Sequence, residues 1–139
     1  MKTKKLKYTP EYNFDLLGIS TAEDDYKLSW QLSGLLDSEF VKVSDLEIRD
    51  PRFSEFQLFS VYEDTKAAGN SCIKLVSNKG NIGFLIEELR NIDYFILIFD
   101  KEDSLFIDEL SAKLKTVTGI SAVFKLKPEN LKSKEKLLF

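Results

Sequence analysis

The stretch Ile92 to Phe99, IDYFILIF, is apolar at both odd and even positions over most of its length. Side chains alternate between the two faces of a β-strand, so a run that is apolar at both parities needs cover on both sides. It is too short for any other use. Its longest unbroken piece, Tyr94 to Phe99, has six residues, against about 20 for a helix that crosses a bilayer. The expectation is a soluble protein built around a doubly covered central strand, with no membrane partner.

The flanking patterns supply candidates for the cover. Tyr12, Phe14 and Leu16 alternate with polar neighbours and predict a first strand ending near Gly18. Ser20-Thr21-Ala22-Glu23 has the capping-box pattern of a helix start, and Leu28, Leu32, Leu35 and Leu36 then fall on one helical face. Three strands are expected between Val41 and Asn78, around Leu46 and Ile48, from Phe56 to Tyr62, and around Ile73 to Val76. A second helix is expected from Asp103, with Phe106, Ile107, Leu110, Leu114 and Val117 as its apolar face and Gly119 in the left-handed position after it. Ile120, Ala122, Phe124 and Leu126 predict a last strand, and Pro128 a short helical tail. Few helices and consecutive strands point to an α+β domain. The predicted architecture is a two-layer sandwich, with a largely antiparallel sheet of five to six strands and both helices on one face, in a decorated ferredoxin-like topology.

Length and composition fit one domain over residues 1–139. At 139 residues, with 43% hydrophobic and 31% charged residues, the chain can bury a core without disulfides or a structural metal. It has no repeat and no Gly/Ser linker. A lone cysteine, Cys72, forms no internal disulfide and reads as a small buried strand residue. With no secretory leader pattern at the start, the expected location is the cytoplasm.

Charge is unevenly spread. Residues 1–10 carry four lysines and no acid, residues 125–139 carry five lysines against two acids, and the intervening chain has 11 basic against 21 acidic groups. The basic N-terminal segment and the tail at 128–139 make Lys4, Lys5, Lys7, Lys132, Lys134 and Lys136 candidates for nucleic-acid contact. The acidic middle and the absence of an RNA-recognition aromatic strand make RNA the lesser partner.

Several chemistries are excluded. There is no histidine, which removes His-based triads and the commonest zinc ligand. The six glycines form neither GxGxxG nor GxxxxGK[ST]. Carboxylate pairs at Asp24-Asp25, Glu87-Glu88, Glu102-Asp103 and Asp108-Glu109 are sequence neighbours whose side chains diverge on a helix or strand. No catalytic residue, metal or cofactor is therefore expected; a carboxylate-dependent enzyme would require Glu88 and Asp93 to converge in a cleft.

Binding candidates are better supported. Tyr26 and the only tryptophan, Trp30, lie opposite the leucine stripe of the first helix, and such aromatics are enriched at binding hot spots. Leu137-Leu138-Phe139 is an apolar end after a lysine-rich stretch, able to fold back on the domain or to enter another protein. Both features favour another protein, or a second copy of this chain, as partner.

Ile86-Glu87-Glu88-Leu89-Arg90-Asn91-Ile92-Asp93-Tyr94 resembles the signature of the IPExxxVDY family, small proteins of Bacteroidetes-type bacteria with no assigned biochemical activity. Phe14 to Ser20, Asp25 to Trp30 and Leu131 to Glu135 carry further likeness. The chain departs at Glu87, where the family has proline, and at Ile92, where it has valine; Glu88, Asp93 and Tyr94 match. The resemblance implies a shared scaffold in which these three are structural. The functional expectation is an adaptor or protein-interaction domain, with an RNA- or ribosome-associated factor as alternative and a carboxylate enzyme as the second alternative.

Overall fold

The computed structural model describes residues 14–65, 72–99, 106–137 and 139. Strand β1 (Asp15–Thr21) leads into helix α1 (Asp25–Leu36). Five short strands follow: β2 (Phe40–Lys42), β3 (Leu46–Ile48), β4 (Gln57–Phe59), β5 (Val61–Asp64) and β6 (Ile73–Ser77). Then come β7 (Tyr94–Ile98), helix α2 (Phe106–Leu114) and β8 (Ile120–Leu126). Six strands form one sheet in the order β2-β5-β6-β7-β1-β8, and β3 and β4 form a separate two-stranded ribbon. Every pairing is antiparallel.

The inner strands β6-β7-β1-β8 interleave two β-α-β units. β7 lies between β1 and β6, and β1 lies between β7 and β8. This is the split arrangement of a ferredoxin-like core, widened at one edge by β5 and β2. The α+β class, the antiparallel sheet and the two helices are as the sequence pattern predicts.

Alternation along the central strands divides the core in two. Tyr94, Ile96 and Ile98 of β7, with Leu17 and Ile19 of β1, pack against Leu28 and Leu32 of α1 and Leu110 and Leu114 of α2. Phe95 and Leu97 face the other way with Leu16 and Val76, among Phe59, Leu85, Ile86, Ile92 and Leu137. All five residues of β7 are buried, as a strand apolar at both parities requires. Both helices cover one face; the ribbon, the 78–92 connection and the C-terminal tail cover the other.

Four local expectations change. β1 continues to Thr21, so Ser20 and Thr21 are strand residues and the helix is capped by Asp24, whose Oδ1 accepts from Lys27 N at 2.8 Å. Ser20 does not serve as the cap because it lies within β1 and its hydroxyl donates to Asn91 O at 2.5 Å. The run from Phe56 to Tyr62 breaks at Ser60, with β4 paired to β3 and β5 in the main sheet, because the chain steps there from the ribbon to the sheet. Among the described residues the region from Val41 to Asn78 thus holds five strands, counting β2 from Phe40, rather than three. Tyr12 and Asp103 lie outside the described residues.

Candidate functional site

The stretch from β6 to the start of β7, residues 78–94, is a set of ties. After β6, Asn78 is fully buried and its side chain organises the following connection: Nδ2 donates to Leu89 O at 2.9 Å and Ile92 O at 2.8 Å, and Oδ1 accepts from Ile86 N at 2.7 Å. A short helical turn at Glu87–Leu89 follows. Glu88 Oε2 accepts from Lys132 N at 2.6 Å, fastening the C-terminal tail to this turn. Asp93 Oδ2 accepts from Thr21 N at 2.8 Å, where the β1–β8 ladder shifts register. Tyr94 Oη donates to Glu23 O at 2.9 Å, just before α1. Burial pushes the Tyr94 phenol well above its ordinary range, helped by the charges of Asp25 and Asp24.

Glu88 and Asp93 are therefore each held by a backbone N–H, on different elements, and serve as struts. Glu87 has a partner of its own: Arg52 bonds Glu87 and also Asp50, the latter through Nη2 at 2.6 Å. That guanidinium holds the Asp50 carboxyl down to about 2. Among the described residues no group of three or more potential metal ligands gathers. Cys72 is half-buried, and burial pushes its thiol up, away from a reactive thiolate.

The tail turns inward. Leu137 is fully buried in the second core, so of its two expected fates it takes the fold back on the domain and offers no side-chain surface to a partner. Phe139 is 39% exposed and lies under Lys74 Nζ, 4.6 Å from the ring centroid, and its backbone oxygen accepts from the same amine. Leu138 lies outside the described residues, as do Lys4, Lys5 and Lys7. Lys134 Nζ donates to Glu129 O and Lys136 Nζ to Leu85 O, each at 3.3 Å. Lys132 contributes its backbone N–H to Glu88.

The α1 face is different. Leu28, Ser29 and Leu32 are buried, while Tyr26 and Trp30 are 73% and 69% exposed. Residues four apart share a helical face, so Tyr26, Trp30 and Gly34 make one outward stripe. A side chain at Gly34 would meet nothing within 4 Å of its Cβ. The helix ends at Asp37 in the left-handed conformation (φ 49°), with Ser33 O accepting from both Asp37 N and Ser38 N. Between this end and the turn after α2 lies a groove of about 450 Å³, lined by Trp30, Gln31, Leu35, Ser38 and Val117. Gln31 Nε2 reaches Thr118 O at 3.4 Å across it, whereas Gln31 Oε1 and Ser38 Oγ have no hydrogen-bond partner.

Sequence reasoning located the aromatic stripe but missed the groove and Asn78. The groove needs Val117, which lies some ninety residues along the chain and looked like part of α2's apolar face. Asn78 had only the signal of a polar residue directly after a strand. No protein-family model and no curated protein matches the chain.

Proposed function

We propose that this chain is a non-enzymatic protein-interaction domain acting in the cytoplasm, with the outward face of α1 as its working surface. The observation that supports this reading is the exposure of Tyr26 and Trp30. At 73% and 69% they are the two most exposed large hydrophobic side chains among the described residues, ahead of Phe56 at 47%. They stand on a rigid helix beside a groove, and such aromatics are favoured hot-spot residues. The carboxylates of an enzymatic alternative, Glu88 and Asp93, are engaged by backbone N–H groups. On this reading the likeness of residues 86–94 to the IPExxxVDY signature is a likeness of scaffold.

Affinity capture from the native cell with the full chain tests the proposal. A protein identified with the wild type should be lost with Trp30→Ala, while that variant keeps its unfolding midpoint because the indole is exposed. Equal capture by both would overturn the reading.

A further inference from the structure

The groove beside Trp30 says more about its occupant than that it is a protein. Three observations converge on its chemistry. First, its volume of about 450 Å³ falls within the roughly 300–1,000 Å³ of sites that hold a small ligand or a few side chains. Second, the indole of Trp30, 69% exposed, stands at its edge as an open aromatic face, the kind of surface that takes a cation. Third, its α1 side is acidic, whereas the α2 exit that supplies Val117 carries the exposed Lys113 and Lys115. Residues 23–39 hold five acids and one lysine, and that lysine, Lys27, is paired with Glu23 at 3.1 Å. Ser38 is flanked by the exposed Asp37 and Glu39, and the last turn of α1, the negative end of its dipole, has no basic residue.

We infer that the groove receives a basic segment of a partner protein, with an arginine or lysine over the Trp30 indole and an apolar neighbour against Leu35 and Val117. Indoles are the best aromatic platforms for cations, and the acids at the end of α1 complement the same charge. A second copy of this chain is disfavoured, because a two-fold contact would set these acids against one another. Phosphate backbones meet the same repulsion. The inference rests on the reading of α1 as a partner surface and adds the chemistry of what it binds.

Trp30 is the only tryptophan, so its emission reports on the groove alone. The full chain is titrated with the capped tripeptides acetyl-Leu-Arg-Leu-amide and acetyl-Leu-Glu-Leu-amide. The arginine peptide should change Trp30 emission saturably, bind about ten-fold tighter than the glutamate peptide, and weaken several-fold as salt rises from about 0.05 to 0.5 M. Asp37→Asn, which keeps the left-handed turn, should weaken it by about three-fold. Gly34→Leu, which has open space at its Cβ, should fill the groove and abolish binding while the chain stays folded.

Equal affinity for the two peptides, no saturable response to the arginine peptide, or binding indifferent to Gly34→Leu would overturn the inference. So would a Trp30 emission change on concentration alone that tracks dimer formation in sedimentation. If partner capture is lost with Trp30→Ala but the arginine peptide does not bind, the surface stands and the cationic occupant is wrong. If capture ignores Trp30→Ala, the surface itself falls.

Discussion

The two faces of the central sheet are covered by different means. On one side α1 and α2 satisfy their own backbones and present leucines to the sheet. On the other, the 78–92 connection, the ribbon and the tail have irregular backbones that other groups must satisfy. Asn78, Asn81 and Glu88 supply those bonds: Asn81 Oδ1 takes Leu58 N at 2.8 Å, and Glu88 takes Lys132 N. Gln57, fully buried, donates to Ile82 O at 2.9 Å. Polar side chains on the irregular face are thus structural. On the helical face the backbone needs no such help beyond its caps, and Tyr26 and Trp30 remain exposed.

This contrast can be broken most directly at Asn78. Asn78→Ala strands the Ile86 N–H and the Ile92 carbonyl, whereas Leu89 O keeps the Ile92 N–H; at about 1–3 kcal/mol for each unsatisfied group, offset where water enters, a loss of roughly 2–4 kcal/mol is expected. Leu28→Met on the helical face, equally buried but volume-conserving, should cost less than about 1.5 kcal/mol. Urea unfolding of both variants makes the comparison. If Asn78→Ala is the milder of the two, the irregular face is held by its apolar contacts alone.

The same contrast explains how much could be read in advance. Leu28, Leu32, Leu110 and Leu114 repeat at helical spacing, and β7 is apolar at both parities, so the sheet, its helices and their shared face were legible from periodicity. The cover of the second face has no period. Residues from Leu85 to Ile92 reach it through a turn whose geometry depends on Asn78, and Leu137 reaches it from the far end of the chain. The site divides likewise. Trp30 and Tyr26 follow from a helical wheel, but the groove between α1 and Val117 depends on how α2's exit turn sits beside α1. The capping box at Ser20 misled because Thr21 is drawn into the strand by Gly119 O and Asp93.

Tyr94 is a polar tie on the helical face: its ring belongs to the helical core and its hydroxyl holds Glu23 O before α1. Tyr94→Phe keeps the ring and removes one hydrogen bond, for an expected loss of about 0.5–1.5 kcal/mol. The pH dependence gives a sharper readout. The folded-state phenol titrates above its ordinary value, chiefly through burial, so the folded protein holds this proton more tightly than the unfolded chain. That contribution is complete below about pH 10, the ordinary tyrosine value, and declines as pH rises from there toward the folded-state value. Wild-type stability should therefore fall more steeply than that of Tyr94→Phe in alkaline buffer. Parallel curves would mean that the hydroxyl is not held as the geometry indicates.

The smallest effect has the opposite sign and concerns the exposed face alone. Gly34 occupies an exposed position inside α1, with open space where a Cβ would stand. Glycine in a helix interior is less favourable than alanine by about 0.5–1 kcal/mol. Gly34→Ala should raise stability by about that amount, because it restricts the unfolded chain and meets no neighbour in the folded one. A helix kept for packing alone would gain from that substitution, so the glycine is best understood as keeping the groove beside Trp30 open. Thermal unfolding of Gly34→Ala measures the gain, and arginine-peptide binding measures its cost to the groove. Higher stability with weaker binding would place Gly34 among the residues that serve the surface, whereas lower stability would mean that α1 needs the glycine for its own structure.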